Sequence, residues 1–359
     1  MRKLYFLDLK DKGLYRRHTT SATSKPRLDV ESILNRMRFK SLIINHYFFG
    51  LTNPNLFIKI LYRLKIIRLL NVFNIWFHSL KFKSIRDSII TVQYPFLNGK
   101  MAKLLQTLSK KNKIILIFHD YYTYNDKGMR NYEESIINSS NVIVVHSDAM
   151  EKEFNIEGFN KDMVKLKFFD YLNKYDTKKE VSKTNINIVF AGNLEKSLFI
   201  NQLPEITQNS NLHFLLYGKE RENLPINSQI SYMGSFHNED IENVEGNWGL
   251  VWDGDSVYTC EGRYGNYLRI NAPFKLSLYL AMGIPVIVWS ESAMAPYVRQ
   301  LKLGVTVKSL KDVEAAITSL KDEELKEIQN SVHHYSKKVK SGQMLEEAVK
   351  KCLEIIDNE

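Results

Sequence analysis

The chain alternates short runs of β-branched and aromatic residues with longer segments of mixed polarity, and it does so in two series. The first series consists of "KLYFLDL" near the start and the runs 88–95, 113–120 and 141–147. Each run ends in polar residues, and the segments between the runs are long enough for helices. Short apolar strands joined by helical crossovers are typical of a parallel sheet, so we predict one such sheet in the first 175 residues.

A second series follows the polar segment 170–185, which we interpret as a linker. The six further predicted strands are 186–194, 212–220, 230–236, 248–255, 284–289 and 303–309. The sequence therefore predicts two doubly wound α/β domains, one over residues 1–175 and one over residues 184–335.

The composition fits a globular protein with two cores, because 44% of the 359 residues are apolar. Cys260 and Cys352 fit neither a metal-ligand spacing nor a disulfide framework, which indicates a reducing compartment. We find no signal peptide at the start and no apolar run of about 18 residues that would span a membrane. These features predict a cytoplasmic location.

The net charge of +10 is unevenly distributed. Residues 32–86 contain no Asp or Glu, whereas basic residues from Arg36 to Arg86 are interleaved with Ile, Leu, Phe and Trp. This pattern indicates one or two basic amphipathic helices that contact an anionic membrane surface. A core-facing helix with a solvated basic rim is the open alternative. No nucleic-acid-binding motif accompanies the charge, so we predict no nucleic-acid partner.

No G-x-G-x-x-G or Walker A loop follows any predicted strand, so the usual cradles for NAD, FAD and ATP are absent from the sequence. The segment "FAGNLEKS" instead places Gly192, Asn193 and Lys196 after the first strand of the second series. Open α/β sheets bind ligands at this end of their strands, where Lys196 could reach a phosphate. A surface lysine in a loop is the alternative.

Lys275 is the only charged residue between Arg269 and Glu291. We predict a helix that begins at Pro273 and continues to Met282, with Asn271 or Ala272 as its cap, so Lys275 lies in the first turn. A helix start carries a partial positive charge, and an unpaired ammonium beside this apolar helix would be costly. A bound diphosphate would remove the conflict, and a side chain that reaches solvent is the alternative.

Two further pairs of residues have side chains that could bind or activate a substrate. Asp253 and Asp255 form a D-x-D pattern in a loop rich in glycine and tyrosine, for which we prefer hydroxyl binding to a divalent metal site. His119 and Asp120 follow the predicted strand "KIILIF", where either could deprotonate a hydroxyl of an acceptor. Capping of the next segment is the structural alternative for both.

Several segments together resemble a known family: "AGNLEKS", "YMGSF", "GLVWDGDSVYTC", "GNYLRINAPFKLSLYLAMGIPVIVW", "HD" and "SATSKPRLD". They are similar to the bacterial β-1,6-galactofuranosyltransferases of O-antigen and capsule polysaccharide synthesis, and more distantly to the streptococcal glucosyltransferase that extends GlcNAc on serine-rich adhesins. The resemblance implies the GT-B fold, in which two Rossmann-like domains face a cleft and the second domain holds a UDP-sugar. It also implies that helix 336–359 packs back on the first domain and that no metal or other cofactor is required.

The resemblance also implies roles for individual residues. Lys196 and Lys275 are expected to meet the UDP phosphates, and the small-residue loop of the first domain corresponds to Thr23, Ser24 and Lys25. This sequence has Ala22 where a glycine is common, and Ala-Pro-Phe where Asn-Pro-His precedes the lysine. The remaining expected donor-binding residues are Asn193, Tyr217, Tyr232, Asp253, Asp255, Ser256, Tyr264, Tyr267, Asn271 and Ser277.

We therefore predict an inverting transfer of galactofuranose from UDP-galactofuranose to a hydroxyl of a lipid-linked oligosaccharide. Asp120 is the candidate catalytic base and His119 its competitor. A transferase of UDP-glucose or another UDP-hexose, acting on a glycan or glycoprotein, is one alternative. A non-catalytic sugar-nucleotide-binding partner of another transferase and a membrane- or nucleic-acid-binding protein without enzymatic activity are the others. Peripheral contact with the inner face of the plasma membrane through residues 36–86 is expected, and a homo-oligomer is left open.

Overall fold

The computed structural model describes residues 2–11, 24–46, 60, 64–95, 100–121, 130–175 and 179–359. Its strands form two six-stranded sheets in which every pair of neighbouring strands is parallel. The strands of the first sheet are β1 (Lys3–Asp11), β2 (Lys40–His46), β3 (Ser88–Tyr94), β4 (Lys113–Phe118), β5 (Val142–Val145) and β6 (Asp162–Lys165).

The first sheet has the order β2-β1-β3-β4-β5-β6. The chain winds in both directions from β1, so the topological switch point lies between β1 and β3. β2 and β6 were not predicted. β2 lies in the basic stretch 36–86, in which we predicted helices and no strand, and β6 is a four-residue strand with mostly accessible residues at the edge of the sheet.

All six predicted strands of the second series are present, each shorter than predicted. They are β7 (Ile186–Ala191), β8 (Leu212–Tyr217), β9 (Ile230–Tyr232), β10 (Trp248–Val251), β11 (Val286–Trp289) and β12 (Gly304–Val307). Their order is β12-β11-β10-β7-β8-β9, which places the switch point between β7 and β10. The prediction of two doubly wound parallel sheets is confirmed.

Helices cover both faces of the two sheets. In the described residues they are α1 (Lys25–Arg36), α2 (Ile66–Phe82), α3 (Lys100–Ser109), α4 (Arg130–Asn138), α5 (Asp148–Ile156), α6 (Leu203–Thr207), α7 (Arg263–Tyr267), α8 (Phe274–Ala281), α9 (Ala295–Gln300), α10 (Val313–Thr318), α11 (Asp322–Ser341) and α12 (Gln343–Asn358). α2 packs on β2 and α3, whereas α1 and α12 pack together and α12 contacts β5 and β6. None of the described helices is both long and apolar enough to cross a membrane.

The last two helices connect the sheets to each other. α11 packs on α8 of the second domain, and α12 packs on β5 and β6 of the first. Gly342 joins the two helices with a φ of +89°, and a Cβ there would lie 2.2 Å from the guanidinium of Arg36. Asp170 accepts hydrogen bonds from the first backbone N–H groups of α12, those of Met344 at 3.1 Å and Leu345 at 2.8 Å. The joint thus requires a glycine, and the linker caps the returning helix.

The carboxyl ends of the two sheets face each other through a set of direct contacts. Tyr121, which follows β4, donates its backbone N–H to the hydroxyl of Tyr267 at 2.7 Å. Ser147, which follows β5, donates from its hydroxyl to the carbonyl of Ile270 at 2.7 Å. The contacting residues of the second domain belong to the connection between β10 and α8. The ends of the strands that bind ligands in open sheets are therefore adjacent in the two domains.

Candidate functional site

Lys275 lies at the switch point of the second sheet, in the first turn of α8. The helix begins one residue later than we predicted, because Pro273 has an extended ψ of 134° and occupies the cap position. The Lys275 ammonium is 3.0 Å from Asp253 Oδ1 and 3.3 Å from the carbonyl of Trp252, both after β10. It also lies 4.8 Å from the ring centroid of Phe190 in β7.

The inference that Lys275 lacks a counter-ion within the protein is therefore wrong, because Asp253 supplies one. The two residues are 22 positions apart, and the packing of α8 on β10 brings them together. An ammonium has three N–H donors, and among the described residues Lys275 has two oxygen partners. The third donor can meet an anionic ligand at the start of α8, since 17% of the side chain is accessible.

Gly192 leaves the space that Lys275 occupies. A Cβ at this position would lie 3.0 Å from Lys275 Cε and 3.4 Å from the ring of Phe190. A side chain there would displace the lysine from the end of β7. The glycine in "FAGNLEKS" therefore provides the space in which the Lys275 side chain lies. The sequence did not reveal this relation.

Tyr279 fixes α8 against the sheet and was missed by the sequence analysis. Its fully buried hydroxyl accepts a hydrogen bond from the backbone N–H of Ala191 at 2.9 Å. Its ring crosses Gly249 in β10, where a Cβ would lie 2.2 Å from the ring. A tyrosine within an otherwise apolar helix was the available signal, because a buried hydroxyl needs a partner.

Lys196 and Asn193 occupy the turn after β7, on the same edge of the sheet. The Lys196 ammonium lies 4.8 Å from the ring centroid of Tyr264, and both side chains are exposed. Asn193 Oδ1 accepts hydrogen bonds from the backbone N–H groups of Glu195 at 3.0 Å and Lys196 at 3.3 Å. The amide oxygen of Asn193 thus shapes the turn that presents Lys196.

Asp120 follows β4 and faces this edge from the first domain. Its side chain is accessible to solvent but is surrounded by protein on most sides, and the resulting loss of hydration raises the pKa of its carboxyl to about 6. The positive charges of Arg27 and Lys196 oppose that rise in the pKa. Asp120 therefore lies within electrostatic reach of one cation from each domain.

His119 lies beside Asp120 and is partly buried. Its Nε2 is 2.7 Å from Oε1 of Gln93, and its ring stacks on Phe169 at a centroid distance of 5.0 Å. Burial, together with the charge of Arg27, holds the pKa of His119 well below its usual value. A neutral, weakly basic imidazole in this position is a poorer proton acceptor than the accessible carboxylate of Asp120.

Arg27 is a second residue that the sequence analysis missed. It lies in the first turn of α1, and its guanidinium donates to the carbonyl of Pro95 at 2.8 Å. Its charge acts on both His119 and Asp120. "SKPRLD" and "APFKLS" both place a cation just after a proline at a helix start, so the feature that singled out Lys275 also applied to Arg27.

Four other predicted donor-binding residues have their hydroxyls engaged within the protein. Tyr217 is buried and accepts from the backbone N–H of Glu245, and Tyr232 donates to the carbonyl of Gly218. Ser256 accepts from the N–H of Tyr258, and Tyr267 is the partner of Tyr121 across the domain contact. These hydrogen bonds give the four residues structural roles, and their roles in donor binding stay predictions.

Lys25 is buried, with only 5% of its side chain accessible. Its ammonium donates to Asp29 Oδ1 at 2.9 Å and to the carbonyl of Leu172 at 2.8 Å, and it lies 3.5 Å from Glu239 Oε1. The ammonium makes two hydrogen bonds and lies at ion-pair distance from a third oxygen, so the structure does not present Lys25 to a ligand. Ser24 precedes α1 at its cap position, and Thr23 lies outside the described residues.

The remaining candidates differ in their access to the cleft. Asp255 is exposed, whereas Ser277 is fully buried inside α8 and out of reach of a ligand. Asn271 Oδ1 and Ser277 Oγ are buried and have no hydrogen-bond partner in the described part of the chain. In those residues we also find no group of three or more His, Cys, Asp or Glu side chains placed to hold a metal ion.

Two family models match the chain over most of its length. The model of the glucosyltransferase 3-like N-terminal domain matches residues 12–168, and that of the C-terminal domain matches residues 188–352. The β-1,6-galactofuranosyltransferase WbbI of Escherichia coli K12 is 30% identical over 255 residues, which cover 69% of this chain and 72% of that protein. Glucosyltransferase 3 of Streptococcus gordonii is 27% identical over 266 residues, or 71% of this chain and 75% of that protein.

Solved structures share the two-domain architecture at low sequence identity. A trehalose-6-phosphate structure from E. coli, bound with UDP-2-fluoro glucose, has a TM-score of 0.56 at 10% identity and covers 97% of this chain and 98% of that one. An α,α-trehalose-phosphate synthase (UDP-forming) from Burkholderia vietnamiensis has a TM-score of 0.55 at 8% identity, with coverages of 98% and 100%. These similarities concern the fold, and the predicted GT-B architecture is confirmed.

Proposed function

The chain belongs to the glucosyltransferase 3-like family of glycosyltransferases, and on that premise we propose that it transfers galactofuranose from UDP-galactofuranose to a hydroxyl of a lipid-linked oligosaccharide. The donor in this proposal follows the E. coli relative, which is a β-1,6-galactofuranosyltransferase. The observation that carries the proposal is the position of Lys275, a partly accessible ammonium at the helix start beside the switch point of the second sheet.

The negative charge of the UDP diphosphate is complementary to the two lysines at the carboxyl edge of the second sheet. Lys275 offers its third N–H donor at the N-terminus of α8, and exposed Lys196 projects from the turn after β7. Negative charge grows on the diphosphate as the bond to the sugar breaks, so cations placed here stabilise the transition state more than the ground state. Asp253 holds the Lys275 side chain in place before the donor binds.

The proposed chemical step is a single displacement with inversion. The acceptor hydroxyl oxygen forms a bond to the anomeric carbon while the bond from that carbon to the UDP oxygen breaks. Asp120 takes the proton of the hydroxyl, and UDP leaves with the electron pair of the broken bond. Asp120 suits this role because it is accessible and faces the phosphate-binding edge, with Arg27 and Lys196 keeping a larger fraction of it ionised.

UDP-glucose is the second candidate donor, because the family and one relative carry the glucosyltransferase name. A panel of UDP-hexoses, including UDP-galactofuranose generated in situ, distinguishes the two donors. The protein is incubated with each donor and a lipid-linked or synthetic acceptor, and the products are identified by mass spectrometry and by NMR of the new linkage. We expect a β-galactofuranoside. Exclusive turnover of UDP-glucose would reject the furanose donor, and UDP binding without any transfer would favour a non-catalytic partner.

A further inference from the structure

Helix α2 has apolar residues on two of its faces. Ile67, Ile75 and Phe82 are at most 5% exposed and pack towards β2 and α3. Six other large apolar side chains are exposed, with accessibilities between 42% for Leu80 and 65% for Leu69. The six exposed residues are Leu69, Leu70, Phe73, Trp76, Phe77 and Leu80.

These six residues form one continuous stripe, which we call the outer face of α2. Their spacing is that of a single helical face, since successive members lie one or three residues apart. An exposed apolar stripe with three aromatic side chains is more than the scattered apolar residues of an ordinary surface, and such a patch marks an interaction site. The alternative interpretation of this stretch, a helix that packs on the core and has a solvated basic rim, therefore accounts only for the inner side of α2.

Positive charge flanks the outer face at both ends. Lys65 precedes the helix, and Lys81, Lys83 and Arg86 follow the last exposed apolar residue, all four being exposed. No acidic residue occurs in the sequence from 32 to 86. An apolar stripe with basic flanks complements an anionic lipid surface, whereas two copies of this face would bring like charges together.

We propose that the outer face of α2 docks on the surface of an anionic bilayer, with the helix axis in the plane of the lipid headgroups. α2 joins the parallel strands β2 and β3, so its first turn lies towards the carboxyl edge of the first sheet and the cleft. Docking would therefore bring the cleft close to acceptors in the bilayer. The proposal shares the lipid-linked acceptor with the proposed function but depends on neither the donor nor the catalytic step.

The protein contains a built-in probe for this contact. Of its four tryptophans only Trp76 is exposed, at 55%, while Trp248, Trp252 and Trp289 are at most 1% exposed. Vesicles of phosphatidylcholine alone and of phosphatidylcholine with phosphatidylglycerol are added to the full-length protein without donor or acceptor. We expect a shift of the emission to shorter wavelength and flotation with the anionic vesicles only, both weakened by salt. Absence of binding to anionic vesicles at low salt would overturn the proposal.

Variants separate the apolar and the charged contributions. The F73S/W76S/F77S variant should lose flotation, and K81Q/K83Q/R86Q should lower partitioning about 100-fold, because each basic residue near such a surface contributes roughly a factor of five. The I156S/I226S variant changes exposed apolar residues outside the outer face and should float like the wild type. Thermal unfolding and turnover of a water-soluble acceptor show that each variant is folded and active.

The outcomes distinguish this proposal from others. Flotation of F73S/W76S/F77S at the wild-type level, or an equal loss in I156S/I226S, would overturn membrane docking. If the wild type ignored vesicles and F73S/W76S/F77S instead converted an oligomer to monomers in sedimentation, the outer face would be a contact between copies. A protein that bound vesicles but transferred no galactofuranose would retain this inference and lose the proposed donor.

Discussion

Asp120 links the electrostatics of individual residues to the proposed reaction. Loss of hydration raises the pKa of its carboxyl to about 6, and the charges of Arg27 and Lys196 limit that rise. A carboxylate acts as a base only when it is deprotonated, so its activity is present above its pKa and is lost as the pH falls through it. Both the base and the residues that tune it can therefore be identified from a pH profile.

We expect the kcat/KM of the wild type to fall below about pH 6, tenfold per pH unit, as Asp120 of the free enzyme becomes protonated. D120N should lower kcat by about 100-fold or more with little change in the KM for the donor. R27Q removes a charge that lowers the pKa of Asp120, so the acidic limb of its profile should move to higher pH. The exposed D357N serves as the control in initial-rate measurements, and an unchanged profile in D120N would exclude Asp120 as the base.

At the scale of single residues, the sequence was sufficient to locate Lys275 but not to identify the residue that pairs with it. The first-turn position of Lys275 was readable because helix signals are local. Its pairing with Asp253 was not, because that contact depends on how α8 packs on β10. The roles of Tyr217, Tyr232 and Lys25 in donor binding were implied by resemblance, and their polar atoms are engaged within the protein.

At the element scale, the position of α8 determines where the phosphate-binding lysine lies. The hydroxyl of Tyr279 accepts the buried N–H of Ala191 at 2.9 Å, one turn after Lys275. Y279F leaves that N–H without an acceptor, which should lower the free energy of unfolding by about 1–3 kcal/mol. It should also weaken UDP binding, because α8 loses its attachment to β7.

Chemical denaturation and UDP titration of Y279F measure both effects. Y258F is the matched control, since Tyr258 is half exposed and its hydroxyl bonds to the carboxylate of Glu205 on the surface. We expect this variant to stay within about 0.5 kcal/mol of the wild type. Equal stabilities of Y279F and the wild type would show that the hydroxyl does not anchor α8.

Local patterns predicted ten of the twelve strands, and the two failures have physical causes. β2 contains "KSLIINH" within a long basic and apolar stretch, where helix and strand patterns are hard to separate. β6 buries only Val164 well and so lacks a clear apolar period. For α2 the sequence left open whether the apolar residues face a membrane surface or the core, because periodicity alone does not say which of two apolar faces meets the core.

At the scale of the whole molecule, His146 connects the two domains. Its Nε2 is 2.9 Å from the carbonyl of Phe118, and its Nδ1 accepts the backbone N–H of Ala272 at 3.1 Å, just before α8. Burial lowers its pKa to about 4. The imidazole must therefore stay neutral for the contact to persist. Contacts of this kind lie between distant segments, and the sequence patterns of the two sheets did not reveal them.

The lowered pKa of His146 predicts a pH-dependent stability. The unfolded chain binds the proton near pH 6.5 and the folded chain only near pH 4, so this part of the stability is complete above 6.5 and is lost as the pH falls. His146 alone should cost about 2 kcal/mol between pH 7 and pH 5. Between pH 7 and pH 5, the unfolding free energy of H146N should therefore fall by about 2 kcal/mol less than that of the wild type. The exposed H334N should show the same fall as the wild type. An equal drop in H146N would contradict the assignment.

The proposed function requires Lys275 to bind the diphosphate of a UDP-sugar, and isothermal titration with UDP measures this binding. K275A should weaken UDP binding by about 30- to 100-fold, because it removes a charge-assisted hydrogen bond and leaves the Asp253 carboxylate unpaired beside the ligand. K275A/D253N should recover part of the loss, and the exposed K302A should bind like the wild type. UDP binding of folded K275A at wild-type affinity would contradict this role of Lys275.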